Sequence, residues 1–144
     1  MRFLAFLVLA TIGVNVADAD VLKTEAEIRP FADSVMARVG AGDLTAAFAL
    51  MKPYTIVPSS EFDATALNSK AQRELVGSRF GAAAGYEFVD QAKVGQSLLR
   101  LTYIEKTQRH ALPWMFYFYR SPEGWVLNSF FWNDNMPSLF GGAK

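Results

Sequence analysis

The strongest constraint on this chain is a change of hydrophobic period at Tyr86. Upstream of it apolar residues recur at helical spacing, and downstream they alternate at every second position as far as Trp132. The first spacing buries a stripe of a helix and the second buries one face of a strand, so the chain divides into a helical half and a sheet half. Helices followed by a run of strands define an α+β class: three N-terminal helices packed on a curved four-stranded antiparallel meander.

Ile28, Phe31, Val35, Met36 and Val39 form the stripe of the first helix. Thr24 and Glu27 open it at capping-box spacing, and Gly40 and Gly42 end it. Pro30 either kinks this helix or sits in the first turn of its regular part. Asp43 caps a shorter second helix carrying Leu44, Ala47, Phe48 and Met51, stopped by Pro53. The stretch from Tyr54 to Val57 reads as a brief extended or edge segment between two prolines. Ser60 and Asp63 open a third helix whose buried side is predicted to be Phe62, Ala66, Leu67, Ala71, Leu75 and Phe80.

Turn signals near Val94-Gly95, Thr107-Gln108 and Pro122-Glu123-Gly124 cut the alternating half into four strands. A two-residue turn at Thr107-Gln108 sets Glu105 opposite His110, Tyr103 opposite Leu112, Leu101 opposite Trp114 and Leu99 opposite Phe116. The last turn pairs Phe118 with Asn128 and Phe116 with Phe130. One face then collects Tyr86, Phe88, Leu99, Leu101, Tyr103, Leu112, Trp114, Phe116, Phe118, Phe130 and Trp132, and this face must meet the helices. The other carries Arg100, Thr102, Lys106, Ser129 and Asn133 mixed with Ile104, Met115, Tyr117, Tyr119, Leu127 and Phe131. Such a face is too apolar for plain solvent, which predicts a homodimer through the outer sheet face.

Met1-Arg2, the apolar run Phe3 to Val14 and the small-x-small segment Ala17-Asp18-Ala19 read as a signal peptide over residues 1–19, cleaved after Ala19. The expected product is a single domain, 20–144, exported to a periplasmic or extracellular location and free of the membrane once the leader is removed. Fourteen Lys and Arg balance fourteen Asp and Glu, scattered singly, which disfavours a nucleic-acid surface. With no cysteine and one histidine, neither a disulfide nor a thiolate or imidazole metal site is expected. No Gly-rich strand-to-helix turn offers a phosphate cradle, so no nucleotide cofactor is expected.

The order helix, short helix, extended segment, third helix and meander resembles the nuclear-transport-factor-2-like superfamily, a cone-shaped α+β roll. Val39-Gly40-Ala41-Gly42-Asp43-Leu44-Thr45-Ala46-Ala47-Phe48 resembles the Gly-Asp junction between the first two helices of such proteins, and Gly124-Trp125-Val126 their last-strand start. The resemblance implies a ligand-binding module, an isomerase or dehydratase, or an exported protein without assigned activity. Catalytic members hold an Asp with a Tyr or His inside the cone.

Two functional readings follow. The preferred one is a non-catalytic exported module binding a small apolar ligand or a protein partner, with Tyr103, Trp114, Asn128 and Trp132 as ligand-binding candidates. The alternative is a cofactor-free isomerase or lyase, with Glu105 or Asp134 as base, His110 as its partner, and Asn128 or Tyr103 stabilising developing charge. Glu105 beside His110 is read in preference as a solvent-side pair at a hairpin end, and Asp134 in preference as a turn cap.

Overall fold

A computed structural model describes residues 19–141, so the leader expected over 1–19 lies, up to residue 18, outside the described residues. Helix α1 spans Ile28–Gly40, α2 Leu44–Met51 and α3 Ser59–Phe80. Strands β1 Ala83–Val94, β2 Leu98–Thr107, β3 Ala111–Ser121 and β4 Gly124–Trp132 follow. They pair in the order β1-β2-β3-β4, all antiparallel, so the fold is the expected α+β meander. Among the described residues no helix is long and apolar enough to cross a membrane.

The local signals act as their chemistry requires. The Glu27 carboxylate accepts the Thr24 backbone N–H at 2.7 Å, opening a 3-10 turn that runs into α1, with Pro30 in the first turn of α1, where its missing donor is tolerated. Asp43 Oδ1 accepts the Ala46 N–H at 3.0 Å and starts α2. The segment after Pro53 contributes a single bridge, Thr55 to Leu127, at the β4 edge. Leu22 bridges Trp125 on that same edge, and Gly124 leaves room for it, since a Cβ there would come within 2.7 Å of the Leu22 carbonyl. At the other end α1 closes on β1 through Gly40, whose Cβ would meet the Gly85 backbone at 2.6 Å.

The core lies between α1 and α2 and the predicted inner face of the sheet. Val35, Met36 and Val39, with Phe48 and Met51, pack against Leu99, Leu101, Tyr103, Trp114, Phe116 and Phe118. Bulges after Phe88 in β1 and at Asn128 in β4 bend the sheet around them.

Three expectations need correction. The β2–β3 turn is Gln108-Arg109 rather than Thr107-Gln108, so every cross-strand partner shifts by two: Glu105 faces Leu112, Tyr103 faces Trp114, Leu101 faces Phe116 and Leu99 faces Phe118. A shift of two keeps each side chain on its face. The turn is placed by its docking, with Gln108 N–H on the Ala82 carbonyl and Arg109 N–H on the Phe80 carbonyl. In β4 Phe116 faces Phe130 as expected, but Phe118 faces Leu127. The extra residue is Asn128, which exposes Asn128 and turns Leu127 into the core.

On α3 the inward line is Phe62, Ala66, Arg73, Val76 and Phe80, while Leu67 and Leu75 point outward at 69% and 75% exposure. The helix carries apolar residues on two sides, and the pattern alone does not choose between them. In urea unfolding, Phe62→Ala is expected to cost about 3–5 kcal/mol, and Leu75→Lys to stay within about 0.5 kcal/mol. Equal losses would contradict this orientation of α3.

Candidate functional site

The inner face of the sheet carries its polar side chains in two clusters, each tying a helix to β2. The first is built on Glu105, which is 1% exposed. Its Oε1 accepts from Arg73 of α3, at 2.7 Å from Nη2 and 2.8 Å from Nε, and its Oε2 accepts the Trp114 indole N–H at 3.0 Å. Both oxygens are answered, so the carboxylate is held as a structural acceptor rather than left free as a base.

The second cluster joins α1 to β2. The Tyr103 hydroxyl donates to Asp33 Oδ1 at 2.7 Å, and Asp33 accepts Arg29 Nε at 3.1 and 3.2 Å across one helical turn. The Arg29 guanidinium lies 3.4 Å from the centre of the Phe88 ring. Burial, and then the Asp33 carboxylate it faces, push the Tyr103 phenol far above its usual range. An Asp and a Tyr thus meet on the inner face, but Tyr103 is fully buried with its proton committed to Asp33.

The remaining candidates disperse. His110 lies beyond the end of β2, stacked on Phe80 at 4.1 Å, with Nε2 3.0 Å from the Asp134 carbonyl oxygen. It is therefore no neighbour of Glu105, because the turn falls one residue later than its sequence suggests. Asp134 is exposed and serves His110 through its backbone; Asn133 caps the turn, its Oδ1 accepting the Asn135 N–H at 2.8 Å. Trp114 is fully buried, stacked between Phe116 and Trp132, both at 6.2 Å. Trp132 is half-buried beside a cleft that α3 lines with Thr65, Asn68, Ser69 and Gln72. Asn128, expected inside, opens onto the outer face. Of the four ligand-binding candidates, Trp132 and Asn128 thus line different clefts, and Tyr103 and Trp114 are packed in the core.

That outer face holds a groove of about 390 Å³ lined by Val94, Leu98, Arg100, Tyr117, Tyr119 and Asn128. Beside it Tyr117 and Phe131 stack at 5.8 Å, with Phe131 44% exposed. Arg100 Nη2 stands 3.6 Å from Asp90, and its buried Nε has no hydrogen-bond partner among the described residues. Among the described residues no group of three His, Cys, Asp or Glu is arranged to hold a metal ion.

Arg73, Asp33 and Arg29 were not among the sequence candidates. A signal for Arg73 existed, a cation on the line from Phe62 to Phe80, and the Arg29-Asp33 spacing marked a same-face pair. Comparison of the chain with models of known families, with curated proteins and with solved structures finds no match.

Two measurements test the clusters. Arg73→Met or Glu105→Leu alone strands a buried charge and is expected to cost about 3–5 kcal/mol, while the double variant loses much less than the sum. Strict additivity in chemical denaturation would refute the coupling. The Tyr103 phenol ionises more readily unfolded than folded, so its contribution is complete below about pH 10 and is lost as pH rises further. Tyr103→Phe should flatten the alkaline decline of the unfolding midpoint; an unchanged slope would show that Tyr103 does not drive it.

Proposed function

We propose that this chain is an exported, non-catalytic binding module whose working surface is the outer face of the sheet. The observation that carries this reading is where the apolar side chains lie. The helix side is packed around Trp114 and Tyr103 with its acids engaged, while Ile104, Met115, Tyr117, Tyr119 and Phe131 remain on the far side, where Tyr117 and Tyr119 line an open groove.

The occupant we propose is a second copy of the chain. The charges of this face are two of each sign, Glu87 with Lys106 at 3.5 Å and Asp90 with Arg100 at 3.6 Å. A two-fold axis sets a surface against itself, and a face of balanced charge meets no net repulsion there. The order of elements supports kinship with the nuclear-transport-factor-2-like superfamily, and the Met1 to Ala19 pattern supports export.

Light scattering at micromolar concentration is expected to give twice the chain mass, and Tyr117→Lys or Phe131→Lys to give single chains that remain folded, with a midpoint lowered only by the loss of association. A parent protein that runs as a monomer would remove the proposal.

A further inference from the structure

A cleft of about 410 Å³ lies between the α1–α2 junction and the C-terminal half of α3, with the Arg73-Glu105 pair among its lining groups. Arg73 grips Glu105 through one oxygen only, since Nε and Nη2 both approach Oε1. A guanidinium offers five N–H groups in a planar fork, so this grip leaves the Nη1–Nη2 end available. Nη1 makes no hydrogen bond to the described residues. Lys70, one turn earlier on α3, also lines the cleft and forms no ion pair among the described residues.

Gly77 completes the arrangement. A glycine inside a helix weakens it, yet a Cβ here would stand 3.3 Å from Arg73 Nη1. The missing side chain keeps the free edge of the guanidinium open to the cleft.

We propose that this cleft binds a small zwitterion of the α-amino-acid kind, its carboxylate on the free edge of Arg73 and on Lys70, its ammonium toward Glu74 and Asp43. The lining charges select this class. Glu105 is already answered by Arg73, which leaves in the lining the cations Arg73 and Lys70 of α3 together with the carboxylates of Glu74, on the same helix, and of Asp43, at the start of α2. A phosphate brings surplus negative charge against those carboxylates, and a plain amine leaves Arg73 and Lys70 unanswered; a molecule carrying both charges is matched on both sides. Val39 and Leu44 give an apolar wall for an aliphatic side chain, and the volume suits a small ligand. The cleft lies on the helix side, away from the outer sheet face, so ligand binding here and self-association there succeed or fail separately.

Isothermal titration calorimetry of the whole chain with leucine, isovalerate, isoamylamine and inorganic phosphate tests the proposal. Leucine should bind, with the three other probes each weaker by about tenfold or more. Arg73→Lys keeps a charge toward Glu105 but loses the fork, and Lys70→Ala loses the second cation; each should weaken leucine about tenfold. Gly77→Leu favours the helix while filling the cleft, and should abolish binding in a folded protein even if Arg73→Lys does not fold. Absence of heat with leucine at roughly 10 mM would overturn the proposal. So would isovalerate or phosphate binding as tightly as leucine, or leucine affinity unchanged in Lys70→Ala and Gly77→Leu.

Discussion

A carboxylate beneath a helix must be answered where it stands, and the way Glu105 is answered organises this molecule. Arg73 reaches it from α3 and Trp114 from the neighbouring strand, so one residue of β2 fixes a helix and a strand together. Helix α3 has little else inside. Phe62 packs among Phe48 and Phe130 near its start, and Phe80 stacks on His110 at its end. Between those anchors the ion pair sets how the helix is rotated, and that rotation leaves Leu67 and Leu75 outside. A buried pair of this kind adds less stability than its distances suggest, because both charges lose water; its effect is to penalise every other arrangement.

The Tyr103-Asp33-Arg29 chain does the same for α1, two residues along the same strand. Together the clusters tie the two helices to β2 through Glu105 and Tyr103. Outside the packed interior lie the apolar outer face of the sheet and the cleft where the free edge of Arg73 emerges.

Much of this was legible in the sequence, because hydrophobic period reports faces more reliably than partners. Apart from Leu127 and Asn128, the inner face was read correctly from Tyr86 to Trp132 although the β2–β3 register was off by two, since an even slip leaves every side chain on its own side. The Asp43 cap and the Phe116-Phe130 pair were also legible, being set by local chemistry. The rest depends on contacts distant in sequence. Gln108-Arg109 becomes the turn because its N–H groups find the end of α3, and His110 is thereby carried away from Glu105. Nothing near Asn128 announces the bulge that exchanges its face with that of Leu127. Arg73 was missed because a cation on a half-apolar helix reads as surface until its carboxylate is located.

The central claim is that Trp114 is shut off from water beneath the helices, its indole held on the buried Glu105 carboxylate. Hydrogen exchange of the Trp114 indole N–H, followed by NMR at neutral pH, tests this most directly. The expected result is protection that is lost only with global unfolding and that collapses toward free exchange in Glu105→Leu. An indole proton in the parent protein that exchanges as fast as one in an unfolded peptide would contradict the account.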